Sequence, residues 1–151
     1  MGMRPIRLLA TAAVLLILVG GCDRFAAGRT YELVLQQPEA FEELPVRVVD
    51  STGLVSDVAV RDAEVLPPFD GRGGLSSPPG RPNELLVQWV GGACDERVEI
   101  AVSRGGEGRL HLELQTAPAS QDCDAIGVGR AVWLVLLGPV DPSEANLDFA
   151  E

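Results

Sequence analysis

The 151-residue chain contains no lysine, one histidine and three cysteines, and it is poor in aromatic residues, with two Trp, one Tyr and four Phe. Without lysine, its positive charge rests on 12 arginines set against 22 Asp and Glu, for a net charge of −10. This balance does not suit a nucleic-acid binder, because a phosphate backbone is held by clustered Lys and Arg. One histidine and so few cysteines do not supply the closely spaced ligands of a zinc site. Nucleophilic catalysis needs a base beside its nucleophile. The single histidine, His111, sits between two leucines with no serine or acid next to it, and its place in an alternating segment reads as a solvated face. Gly127-Val128-Gly129 is too short for a dinucleotide fingerprint and has no βαβ setting. The expectation is a protein with no catalytic residues, no enzymatic activity and no cofactor beyond a covalent lipid; a hydrolase using acidic loops is a remote alternative.

Also missing is an apolar run long enough to span a bilayer, which takes about 20 residues. The stretch from Leu8 to Gly21 has 14 residues without a charge, behind Arg4 and Arg7. A short basic segment followed by an apolar run of this length reads as a secretory signal. It ends in Val19-Gly20-Gly21-Cys22, which resembles the lipobox of bacterial lipoproteins. The resemblance implies cleavage between Gly21 and Cys22, a diacylglyceryl thioether on the Cys22 sulfur, and acylation, typically with palmitate, of the new amino group. It also implies a place on the extracytoplasmic side of the cell membrane, held by the lipid. Asp23 resembles the retention signal that keeps some lipoproteins on the periplasmic face of the inner membrane in two-membrane bacteria.

Cleavage would leave residues 22–151, with ten Arg against 22 acids and a formal charge of −12. That length suits one domain with one core. Residues 22–29 read as a short membrane-proximal tether, and 30–151 as the domain. The acidic field repels anionic headgroups, so attachment falls to the acyl chains. With Cys22 lipidated, Cys94 and Cys123 remain as an even pair in an oxidising compartment, and a disulfide between them is expected.

From residue 30 the apolar pattern has period two, the mark of half-buried strands. Tyr31, Leu33 and Leu35 share a face. Glu39 to Glu43 suggest a helical turn, Val46 and Val48 resume the alternation, and Asp50 to Gly53 read as a turn. Leu54 to Arg61 read as a strand with Val58 and Val60 inward. Residues 67–83 hold five prolines and four glycines, which reads as a loop. Further on, Leu85, Val87 and Trp89 form one inward row, Val98, Ile100 and Val102 the next, and Leu110, Leu112 and Leu114 a third, which suggests an antiparallel meander. Ala131 to Leu137 are apolar at every position, as in a strand covered on both sides. Asn146 to Ala150 complete the set, with Leu147 and Phe149 inward. Seven or eight such strands imply an all-β, antiparallel β-sandwich-like domain, with a small barrel as alternative.

The segments Leu86 to Val98, with Trp89-Val90-Gly91-Gly92-Ala93-Cys94, and Cys123 to Asp141, with Cys-x-x-Ile-Gly, resemble hypothetical bacterial lipoproteins with a Trp-Gly-Gly-x-Cys turn; here Val90 stands between the Trp and the glycines. The resemblance implies no activity. In the meander, Cys94 and Cys123 fall at one end, and a bond between them would gather Asp95, Asp122 and Asp124 there. Calcium takes six to eight oxygen ligands, so these acids are weak calcium candidates. Arg97 or Arg130 can neutralise them instead, and no metal is expected. The role that remains is a lipid-anchored, non-catalytic binding or scaffolding domain with an unknown envelope protein as partner. The alternative is a carrier of small ligands in an apolar barrel cavity.

Overall fold

The computed structural model describes residues 28–36, 43–60, 71–118 and 127–150. Among them are nine strands: β1 (Arg29–Gln36), β2 (Glu43–Asp50), β3 (Val55–Ala59), β4 (Gly73–Ser76), β5 (Glu84–Gly92), β6 (Asp95–Arg104), β7 (Leu110–Pro118), β8 (Gly127–Leu136) and β9 (Ala145–Phe149). Short 3₁₀ turns occupy Gly106–Gly108 and Pro142–Glu144. The strands form a five-stranded sheet, β1-β2-β6-β7-β9, and a four-stranded sheet, β3-β8-β5-β4. The sheets pack face to face as a β-sandwich, and no barrel closes among the described residues.

Alternation explains the packing. The first sheet turns Leu44, Val46 and Val48, Val98, Ile100 and Val102, and Leu110, Leu112 and Leu114 inward. The second answers with Val55, Leu85, Val87, Trp89, Val132, Leu134 and Leu136. Most of these are fully buried, and burying each such Val or Leu side chain is worth about 1.5–3 kcal/mol before entropy is counted. Two contacts clasp the flanks of the sandwich. On one side the Tyr31 hydroxyl of β1 donates to the Val55 carbonyl of β3 at 2.5 Å. On the other, the Arg72 guanidinium lies over the Phe149 ring, 5.0 Å from its centroid.

The three inward rows expected of β5, β6 and β7 are present, but they do not form a meander. β5 belongs to the four-stranded sheet and β6 and β7 to the other. The chain changes sheets at Ala93-Cys94, between β5 and β6. Because β5 arrives at that end, β6 must leave from it, in the same direction as β2. The two therefore pair in parallel, Val46 opposite Val98 through Asp50 opposite Val102. β7 and β9 are parallel too, so the five-stranded sheet is mixed and the expected all-antiparallel pairing holds only for the other sheet. β5 and β8 lie at the centre of that sheet. β8 buries Val132, Leu134 and Leu136 and half-buries Ala131, Trp133 and Val135, as its continuous apolar run implies. β5 buries Leu86 and Gln88 as well as its inward row.

Other expectations need correcting. The stretch from 67 to 83 is not all loop, because Gly73 to Ser76 form β4 and pair with Leu86 to Trp89. Glycine is required at its start. A β-carbon on Gly73 would sit 2.4 Å from the Gln88 carbonyl oxygen and 2.6 Å from the Phe149 ring. Gly73→Ala should therefore cost about 1–3 kcal/mol through overpacking. Gly106→Ala, where a β-carbon would meet nothing within 4 Å, should change little. Urea unfolding of both variants checks this, and equal effects would remove the packing explanation. Val58 does pack on the core, but Val60 is 42% exposed because β3 ends at Ala59 after a bulge between Val55 and Asp57. Glu43 opens β2 rather than closing a helical turn; residues 39–42 lie outside the described residues. β1 starts at Arg29, which the sequence assigned to the tether.

The topology gives the sandwich two distinct ends. At the lower end Arg29 pairs with Asp50, Val55 with Leu136, and Leu110 with Ala145. Asp50 is fully buried there, and the turn read from Asp50 to Gly53 is built on it. Its carboxylate accepts from the Thr52 amide at 2.8 Å, the Thr52 hydroxyl at 2.5 Å and the Val55 amide at 3.0 Å. At the upper end lie the β5–β6 turn, the end of β7 and the start of β8.

Candidate functional site

The upper end carries Asp95 and Cys94, two of the residues singled out in the sequence. Arg130, on the inward row of β8, reaches Asp95 at the start of β6, with Nη1 3.0 Å from Oδ2. Both side chains are almost wholly buried, at 4% and 6% exposure, where an ion pair needs hydrogen bonds on every side to offset desolvation. These are present. Arg130 Nη2 donates to the Gly92 carbonyl at 2.7 Å, and the Gly92 amide donates to Asp95 Oδ2 at 2.9 Å. Burial pushes the Arg130 guanidinium down from its ordinary pKa, and the attraction and hydrogen bond of Asp95 oppose that shift. Gly91 makes room, since a β-carbon there would sit 2.6 Å from Asp95 Oδ2 and 2.9 Å from Arg130 Nη1.

This pair decides between the two arginines. Arg130 neutralises Asp95, whereas Arg97 is exposed on the outer face. With its carboxylate committed to Arg130 and Gly92, Asp95 is no open calcium ligand. Asp122, Asp124 and Cys123 lie outside the described residues. Among the described residues, no three His, Cys, Asp or Glu side chains converge as metal ligands. Cys94, in the turn beside Asp95, is not a free thiol. Cys22, Gly21 and the whole signal segment lie outside the described residues.

His111 is half-buried on the outer face of β7, its Nδ1 3.6 Å from Asp148 Oδ2 on the neighbouring β9. The Ser103 hydroxyl opposite it donates to the main-chain oxygen of His111 at 3.5 Å and not to the ring.

The outer face of the five-stranded sheet holds a feature not expected from the sequence. A shallow groove of about 400 Å³ runs over β1, β2 and β6, with Val34 and Pro45 between Arg47, Arg97, Glu32 and Glu99. Val34 is 44% exposed. Arg47 and Glu99 pair across the groove at 3.4 Å; both are about half exposed, so the pair shapes the surface and contributes at most about 1 kcal/mol. Its sequence signal is a valine in the outward row of β1, opposite to Leu33 and Leu35. The apolar floor and charged walls suit an extended segment with apolar and charged side chains, and β1 is an edge strand of its sheet. The chain matches no family model, no curated protein and no solved structure.

Proposed function

We propose that this chain is a lipid-anchored extracytoplasmic protein of the cell envelope whose β-sandwich binds a protein partner without catalysis. The anchor rests on Val19-Gly20-Gly21-Cys22 behind its basic and apolar segments; the binding role rests on the groove around Val34 at the β1 edge. A carrier of small apolar ligands needs a lined cavity, whereas the described inward rows of both sheets pack into one apolar cluster. The acidic upper end does not favour a hydrolase, since Asp95 is already paired with Arg130.

The proposal includes a bond between Cys94 and Cys123, supported by the strand register. Asp95 pairs with Pro118 and Gly92 with Gly127. The described residues Pro118 and Gly127 therefore both lie opposite the flanks of the turn that holds Cys94.

Labelled palmitate fed to cells should enter the wild type and not Cys22→Ala; equal labelling of both would remove the anchor. A photo-reactive residue at Val34 should cross-link a discrete envelope protein, while one at the exposed Glu113 of β7, on the same sheet face, should not. Failure to cross-link at Val34 would remove the binding role and leave the anchor standing.

A further inference from the structure

We infer that the lower end of the sandwich rests on the lipid surface and the upper end points away from it. The inference depends on the anchor at Cys22. Six residue steps separate that cysteine from Gly28, the first described residue, and they span at most about 22 Å. The chain enters the domain at the lower end, where Arg29 pairs with Asp50.

That end also carries an apolar prominence. Leu137 is 65% exposed, more than the exposed valines Val34, Val60 and Val90. Its amide donates to the Leu54 carbonyl at 2.8 Å, and the Val140 amide donates to the Pro82 carbonyl at 3.0 Å. Leu54 and Val140 line a groove of about 290 Å³ with Arg104, Arg109, Glu107, Asp141 and Glu144. An exposed leucine at the tethered end fits an apolar boundary only a few residues away.

Charge agrees with this placement. The described residues hold eight arginines. Arg29, Arg81, Arg104 and Arg109 stand at the lower end against Asp50, Glu84, Glu107, Asp141 and Glu144, so this end is close to neutral while the acids outnumber the arginines over the rest of the described residues. Arg109 pairs with Glu107 at 3.0 Å and Arg81 with Glu84 at 3.3 Å. In a domain this acidic, the near-neutral end is the one that the surface potential of anionic headgroups repels least. Several acyl chains hold the protein whatever the domain does, so orientation and attachment can be measured separately.

Hydroxyl-radical footprinting read by mass spectrometry tests the orientation. The lipidated mature protein is reconstituted into vesicles of phosphatidylethanolamine and phosphatidylglycerol; the mature chain with Cys22→Ser, free in solution, is the reference. Oxidation of Leu137 relative to Val90 and Val34 should fall several-fold on vesicles. An unchanged ratio, or protection of Val34 or Val90 instead, in protein that floats with the vesicles overturns the orientation and leaves the anchor intact. Failure of the native protein to float overturns the anchor, and the orientation with it.

Discussion

Arg130→Met should cost about 3–5 kcal/mol, because it leaves the Asp95 carboxylate buried without its counter-charge. Asp95 is 8% exposed as a residue and Arg130 is 6%, so water does not replace the missing partner. The same change on the exposed pair, Arg47→Met opposite Glu99, should cost well under 1 kcal/mol by roughly the measure of surface pairs. The contrast follows from burial, since the two pairs have similar separations of 3.0 and 3.4 Å. In a domain of this size, such a loss at Arg130 lowers the melting temperature by roughly 10–20 °C. Replacing both partners, Asp95→Leu with Arg130→Met, should recover much of the loss, since two apolar groups carry no desolvation penalty. Full recovery is not expected, because the Gly92 amide donates to Asp95 at 2.9 Å and would lose its acceptor. Urea unfolding at neutral pH of the two single variants and the double variant gives the coupling energy. A cost below about 1 kcal/mol for Arg130→Met would mean that the pair behaves as a surface pair and does not hold the upper end together.

The fate of these two residues shows what the sequence displayed and what it concealed. Arg130 stands two residues before Val132 and four before Leu134, on the inward row of β8, so period two already placed it inside. Arg97 precedes the inward Val98 and had to face out. The choice between the two arginines was therefore legible in the alternation. The position of Asp95 was not. A bulge between Asp95 and Arg97 shifts the register of β6 against β7, so an acid three residues before Val98 turns inward, and nothing in the residue types announces the extra residue. The inward rows of β5, β6 and β7 were legible for the same local reason. Their distribution over two sheets was not, because a strand alternates identically whichever sheet it joins. β4 escaped notice because Gly73-Gly74-Leu75-Ser76 has one apolar side chain and lies among prolines; its pairing is set by β5 and by the space that Gly73 leaves for Phe149. The groove over β1, β2 and β6 assembles strands that are distant in sequence, and only the parallel β2–β6 pairing brings its walls together.

Reduction should weaken the mature domain by an amount similar to the loss of the ion pair. Pairing Cys94 with Cys123 closes a loop of about 30 residues, worth roughly 3.5 kcal/mol in the chain-entropy model. A domain of this kind is stable by about 5–15 kcal/mol in all, so reduction removes a large fraction. The meander first invoked for the bond is not the route by which the cysteines meet, yet the observed topology serves it as well. β6 runs away from the Cys94 turn and β7 returns to it, with Pro118 opposite Asp95, and β8 departs with Gly127 opposite Gly92. Alkylation of the denatured, unreduced protein should find no free thiol at Cys94 or Cys123. Reductant should lower the urea midpoint of the wild type and leave that of Cys94→Ala with Cys123→Ala unmoved. The effect should also couple to the ion pair, since Cys94 and Asp95 are consecutive: the losses from reduction and from Arg130→Met should add to less than their sum, as for contacts that share one turn. Two alkylated cysteines in the unreduced protein would refute the bond, and the upper end would then be held by the Asp95–Arg130 pair and the β-ladder around it.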